Sequence, residues 1–504
     1  MANESVLTRE SAKVERLITL LEEAKRASRE ATQYFVEPAP DTLRKSTTRR
    51  HHLIFGRRGS GKTSLLHKAE ADLLACGSPV AFIDMDRNKS LAYADVLVTS
   101  LRAIMRAYGR WLEKAHPSLE SLRDRFASAE KELEQLLLNE DEVAHSQSNE
   151  VAHEQASSTK GGVGFGFSGF GAGVKGRRAT EESSSLHAGA RFTSKKVDQI
   201  NRRCLFYRDL LEELTAEIGQ EAFVMVDDLY HLRLSEQARV LGFLHGLVKG
   251  TNVWLKIGTV RKRSRWYFQD GSQPIGIKTG DDADEIVLDR PLELISETKE
   301  FLLAVLRVFL GEAGLKVEDF LSRDSQDRLM RASGGVPRDF LNILATAIRM
   351  AKQRVNNAQG NTSKLVITED IYEAVEFLGK SKMEEFNEEV PNEERHHLQD
   401  MVQRMVSHCF KTKYPFFLIE TGRDPSLVNV TANLEDLKLI HCINRRINRN
   451  NTSYSAYMLD MSLHVAQRRQ ATIKMNYDLA DAQGMLATVP KTHVFQDPEE
   501  APAT

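Results

Sequence analysis

The chain has 504 residues, enough for roughly three domains, and is 41% hydrophobic and 28% charged. A formal net charge of −2 excludes a globally basic nucleic-acid binder, so any basic surface must be local. The longest apolar runs are cut by charges, as Phe301-Leu302-Leu303-Ala304-Val305-Leu306 is by Arg307, and no membrane span or signal peptide is expected.

The cysteines Cys76, Cys204, Cys409 and Cys442 are scattered, so no close pair suggests a metal or redox motif. The expectation is a cytoplasmic chain with reduced thiols and no membrane partner.

In chain order, Thr8 to Thr32 reads as a helix with Val14, Leu17, Ile18 and Leu21 on one face. Tyr34-Phe35-Val36 follows, and Pro38 and Pro40 break regular structure. A short apolar strand, His51 to Phe55, then runs into Gly56-Arg57-Arg58-Gly59-Ser60-Gly61-Lys62-Thr63-Ser64. This is the phosphate-binding pattern G-x-x-x-x-G-K-[ST], between a strand and a helix. The glycines let successive amides face one anion, and the helix N-terminus adds partial positive charge. Lys62 is expected on the terminal phosphates of ATP and the Thr63 hydroxyl on Mg²⁺.

Val80 to Asp84 reads as a buried strand, followed by helices at 92–112 and 118–138. Composition then shifts. Residues 140–190 are rich in Ser, Gly, Glu and His, and glycine alternates with Val163, Phe165, Phe167, Phe170, Ala172 and Val174. Two readings stand for 161–174: a disordered linker, or an insertion that orders against a neighbour, with Lys175, Arg177 and Arg178 adding positive charge.

A helix at 196–218 precedes Ala222-Phe223-Val224-Met225-Val226-Asp227-Asp228. Such a buried strand delivers Asp227 to magnesium, and Asp228 can orient or deprotonate the attacking water. A strand at 253–259 ends in Thr259, which either senses the terminal phosphate or caps the next segment. The run Arg261-Lys262-Arg263-Ser264-Arg265-Trp266 suits a charge donated to a neighbouring subunit's nucleotide, with Arg265 the first choice. The other reading is a solvated basic turn. Residues 285–289 are expected to make the last strand of this sheet.

From Ser296 the pattern is helical, near 296–311, 324–333, 337–354 and 368–386. Pro337 suits a helix start and places Arg338 in its first turn. A helix near 394–410, another near 432–439, and two apolar segments around Asn448 to Ser453 follow the order of a winged helix-turn-helix. Arg445, Arg446, Arg449, Arg468 and Arg469 give it a local basic face.

Together these residues resemble the AAA+ ATPases, within them the origin-recognition and initiator-type group and its bacterial relatives. The residues that carry the resemblance are Gly56–Thr63, Val224–Asp228, Gly335-Val336-Pro337-Arg338, the segment Leu365 to Ala374 and the winged-helix order. It implies an α/β P-loop AAA+ core with a parallel sheet, an all-helical lid, and a winged-helix-like C-terminal domain. It also implies that Thr259 is the first sensor and that Arg338 is the lid arginine that reaches the γ-phosphate.

The expected bounds are an N-terminal helix and linker at 1–48 and a core at 49–290 with an insertion at about 117–195. The lid at 291–385, the winged-helix-like domain at 386–489 and a disordered tail at 490–504 complete the chain. The family's typical acidic pair is Asp-Glu, and here it is Asp227-Asp228, one methylene shorter, so turnover is expected to be slow. Asp-Asp also occurs in apoptosis-type signalling NTPases.

Two functions follow. One is a slow Mg-dependent ATPase switch that assembles as a homo-oligomer and controls DNA or protein binding by its C-terminal domain. The other is a signalling scaffold whose ATP-bound form recruits a protein effector without DNA.

Overall fold

The computed structural model describes residues 11–139, 195–290, 292–357, 365–390, 392–422, 424–465, 473–474 and 477–496. The glycine-alternating stretch 161–174, its following cations, Arg468 and Arg469 lie outside these residues.

The centre is a five-stranded parallel sheet in the order β2-β3-β4-β1-β7. Its strands are β1 His52–Phe55, β2 Val80–Asp84, β3 Ala222–Asp227, β4 Val253–Thr259 and β7 Asp284–Val287. Alternation along β3 shows why the sheet is buried on both faces. Ala222, Val224 and Val226 pack into one apolar cluster, while Phe223 and Met225 pack into another.

The second face is covered by α3 (Lys62–Ala75) through Leu65, Leu66, Ala69 and Leu73. (Helices α1, Ser11–Glu23, and α2, Thr42–Ser46, precede it.) The first face is covered by α4 (Tyr93–Ala115), α5 (Glu120–Leu138), α7 (Cys204–Ile218) and α8 (Leu234–Val248). The short α6 (Lys195–Arg202) leads into α7. The register aligns Phe55 with Thr259 and Asp84 with Asp227, so the motif-bearing strand ends form one row.

A hairpin that the sequence reading did not foresee, β5 (Tyr267–Asp270) and β6 (Gln273–Gly276), follows the basic run. The last strand of the sheet spans 284–287, not 285–289: its ladder to β1 ends with the Leu288 amide donating to the Phe55 carbonyl at 2.8 Å, and Asp289 instead accepts from the Arg57 amide.

The lid comprises α9 (Ile295–Ala313), α10 (Arg323–Ala332), α11 (Pro337–Asn357) and α12 (Thr368–Glu389). Helix α1 packs on it: Val14, Leu17, Ile18 and Leu21 join the same apolar cluster as Leu302, Phe309, Leu344 and Ile348. Glu22 and Glu15 pair with Arg349 and Lys352 of α11. The helix expected to reach Thr32 ends at Glu23, and a 3-10 turn follows at Glu30–Tyr34. There the Ser28 hydroxyl accepts from the Ala31 amide at 3.3 Å, the local competition by which serine interrupts helices.

The C-terminal domain contains α13 (Asn392–Thr412), β8 (Phe416–Thr421), α14 (Pro425–Asp436), β9 (Ile440–Arg449), β10 (Thr452–Leu459) and α15 (Leu479–Ala487). Its antiparallel sheet runs β8-β10-β9. Asn450 and Asn451, both with positive φ (48° and 62°), make the hairpin turn.

Helix α14 starts earlier than the sequence reading placed it. Asp424 caps it by accepting from the Ser426 amide at 2.8 Å, and Pro425 occupies its first turn. Among the described residues only this helix stands between β8 and β9.

One face of the small sheet (Phe416, Leu418, Ile443, Met458) shares a continuous core with the lid, and the other (Phe417, Ile419, Cys442, Tyr457) packs on α13 and α14. Residues 490–496, expected within a disordered tail, are structured, and 497–504 lie outside the described residues. Lys491–His493 form a 3-10 turn, Val494 bridges Leu418, and Phe495 is buried.

Candidate nucleotide site

The sheet's C-terminal edge, the lid and the segment after α1 enclose a cleft of about 420 Å³. Its polar end is lined by Arg58, Gly59, Ser60, Gly61, Lys62, Thr63 and Ser64, with Asp86, Lys89, Asp228, Tyr230, His231 and Arg338. Its apolar end is lined by Tyr34, Phe35, Val36, Phe301, Val305 and Phe309. The rings of Tyr34 and Phe309 lie 5.2 Å apart. The sequence reading noted Tyr34-Phe35-Val36 but gave it no role. The available signal was an aromatic, extended segment directly before the phosphate loop.

The loop is shaped by its glycines. Gly61 has φ +98° and nothing within 4 Å of where a Cβ would stand, so the inner side of the loop is open. Gly59 has φ +84°, and a Cβ there would stand 2.8 Å from the Arg338 Cβ. The Arg338 amide donates to the Gly59 carbonyl at 3.3 Å. The lid therefore rests on the loop, and the arginine of the lid lines the same cleft as Lys62.

Lys62 is buried, and its Nζ donates to the carbonyls of Gly56 (2.9 Å) and Arg57 (3.3 Å). Burial holds its pKa below the usual lysine range. The amides of Lys62, Thr63 and Ser64 open α3 and have no intrahelical acceptor. An ammonium and several unsatisfied donors facing an open, glycine-lined cradle match a phosphate group.

Asp227 is 3% exposed. Burial, then the neighbouring Asp228 charge, pushes its carboxyl up to about 7, although the Thr63 hydroxyl hydrogen-bonds to it. A buried carboxyl beside a second carboxylate and a hydroxyl fits a divalent cation, whose charge would return Asp227 to its ionised form. Among the described residues no cluster of three or more His, Cys, Asp or Glu could hold a metal by itself. The protein would thus supply Thr63 and Asp227, with phosphate and water completing a magnesium shell. Asp228 adopts a left-handed conformation (φ 55°, ψ 41°), rare outside glycine, and it lines the cleft.

Gly56 and Asp227 lie behind the lining, the first accepting from Lys62 Nζ and the second hydrogen-bonded to Thr63, and three further expected residues stand elsewhere. Arg57 turns away from the cleft: its amide donates to Asp289 Oδ1 at 2.8 Å, and its side chain runs toward the C-terminal domain. Thr259 is fully buried, its hydroxyl bonded to Ser264, and does not line the cleft. Strand β4 nevertheless lies between the loop strand and the acidic strand. Arg265 also lies outside the cleft, its guanidinium 4.5 Å from the Phe268 ring.

No protein-family model matches the chain, and no curated protein matches it. Solved structures do. The Walker-type ATPase of Pyrococcus abyssi is 14% identical, covers 88% of this chain and 96% of its own, and gives a TM-score of 0.41. The Cdc6 protein of Pyrobaculum aerophilum is 14% identical over 84% of this chain and 90% of its own, with a TM-score of 0.32. The Orc1 protein of Aeropyrum pernix, solved in complex with DNA, is 12% identical over 92% and 94%, with a TM-score of 0.32.

Proposed function

We propose that this chain is an ATP-binding, Mg-dependent ATPase switch. One observation carries the reading: the loop residues, Lys62, Thr63, Asp228 and the lid arginine Arg338 line a single cleft that also has aromatic and apolar walls, with Asp227 hydrogen-bonded behind Thr63. The apolar end suits a purine ring, and the polar end suits its phosphates.

On binding, Lys62 exchanges the Gly56 and Arg57 carbonyls for phosphate oxygens. Thr63 and Asp227 would hold Mg²⁺, which offsets the phosphate charge when bound. Asp228 orients the attacking water, and its short side chain makes the reaction slow. Arg338 completes the charge around the terminal phosphate. Thr259 acts through Ser264 and β4, and Arg265 serves a neighbouring subunit in a homo-oligomer.

The C-terminal domain is the output, engaging DNA or protein. One observation favours the protein-recruiting scaffold as second reading. Arg445 is tied to Glu435 by two hydrogen bonds of 3.0 and 2.7 Å. The exposed face of α14 presents Ser426, Val428, Asn429 and Asn433, with no cation.

The test is Mg-dependent phosphate release, together with particle mass in ATP and in ADP. Release that requires Mg²⁺, with a larger particle in ATP, supports the switch. No release and no change of mass would leave no ATPase switch. Binding of the full chain to DNA that weakens steeply with salt would select the DNA reading.

A further inference from the structure

Behind the phosphate loop, core, lid and C-terminal domain meet at one buried histidine. His441 of β9 is 1% exposed. Its Nε2 lies 2.8 Å from Asp460 Oδ2, and Asp460 also receives Lys382 Nζ of α12 at 2.6 Å. An ionised carboxylate accepts only, so Nε2 carries the proton. Burial keeps the ring neutral, which leaves Nδ1 as an acceptor. Nδ1 faces Arg57 Nη1 of the phosphate loop at 3.4 Å.

The other Arg57 donors are also engaged. Nη2 reaches the Gly334 carbonyl of the lid at 3.3 Å, and Nε reaches Asp289 at 3.4 Å. A side chain on Gly334 would overlap the His441 ring, so the contact is close-packed. A second tie runs alongside: the half-buried Lys438 pairs with Asp339 at 3.0 Å, next to Arg338. Both sides of the cleft are therefore braced from the C-terminal domain.

We propose that His441 is a positioning residue of the nucleotide site, holding the phosphate loop through Arg57 so that nucleotide occupancy and docking of the C-terminal domain are coupled. It rests on the nucleotide reading above and adds its regulation. The backbone supplies the link. The Arg57 carbonyl accepts from Lys62 Nζ at 3.3 Å, so the peptide that touches the cleft's ammonium also carries the side chain that His441 holds. Coupling of this kind is reciprocal: what docking does to ATP affinity, ATP does to docking.

The experiment uses the full chain and a fluorescent ATP analogue with Mg²⁺. His441→Ala should weaken binding by about tenfold while the chain still melts cooperatively. His441→Gln, which keeps a donor for Asp460 and an acceptor for Arg57, should recover most of that loss. Alanine affinity equal to wild type overturns the proposal, as does a loss that glutamine does not recover.

Amide exchange on the wild-type chain needs no variant, and it decides the matter if His441→Ala does not fold. ATP should alter protection at 440–443 and 459–461, and no change there overturns the coupling. A wild-type chain that binds no nucleotide defeats the site reading itself, and is distinguished from failure of the coupling by Lys62→Ala behaving identically to wild type.

Discussion

Gly59 of the phosphate loop and Arg338 of the lid are in direct contact: the Arg338 amide donates to the Gly59 carbonyl at 3.3 Å, and no room remains for a Cβ between them. The loop is thus held from above by the helix that carries the cleft's lid arginine.

Two glycines separate packing from strain. Gly61→Ala meets open space and costs only the positive-φ strain, about 1 kcal/mol. Gly59→Ala adds overlap with Arg338 and Val336, so its cost should be larger, roughly 2–4 kcal/mol. Urea unfolding of both variants checks this. Equal costs would mean that the lid does not rest on the loop.

The acidic pair should divide its work. Asp228→Asn should bind ATP as wild type and lose turnover, because the water loses its carboxylate. Asp227→Ala should lose the dependence of binding on Mg²⁺, because Thr63 alone is a poor ligand. Titrations with and without Mg²⁺ and a phosphate-release assay distinguish the two. The reverse pattern would exchange the assigned roles.

The basic run holds two kinds of arginine. Arg261 lies 3.9 Å over the Phe55 ring and pairs with Glu285 of β7. Arg261→Ala should cost about 1 kcal/mol of stability with turnover unchanged. Arg265→Ala should bind ATP normally and turn over slowly, and mixing it with Lys62→Ala subunits should restore activity. Full activity of a strictly monomeric chain would rule out the contact between subunits.

Acid sensitivity should be visible at His464. Burial pushes this ring, 3% exposed, down to about 4 from 6.5. The folded-state pKa is the lower one, so the unfolded chain takes up the proton first. Stability is intact above about pH 6.5 and is lost as pH falls toward 4. Relative to wild type, His464→Leu should gain about 2 kcal/mol between pH 7.5 and pH 5. Asp227 and Asp436, both raised to about 7, act in the opposite sense in both chains, so the comparison is made by difference. Parallel stability curves would show that His464 titrates alike in both states.

Local signals made the nucleotide end legible. Gly56 to Thr63, the apolar run into Asp227, and Pro337-Arg338 each declare their structure through backbone chemistry within a few residues. Residues that act at long range were not legible. Nothing near Arg57 indicates that its side chain faces a histidine 384 positions away, and Thr259 gave no sign that Ser264 would take its hydroxyl. Strand β8 was hidden because Phe416 to Ile419 is apolar on both faces, so no alternation marks it. Helix α15 is short and gains its place from packing on the lid core through Leu479, Ala482 and Leu486.

The central claim is that this cleft binds ATP through Lys62, and equilibrium titration of the full chain with ATP and Mg²⁺ tests it most directly. Wild type should saturate, and Lys62→Ala should lose tight binding while remaining folded, because the charge facing the terminal phosphates is gone. Equal affinity in the two proteins would contradict the account.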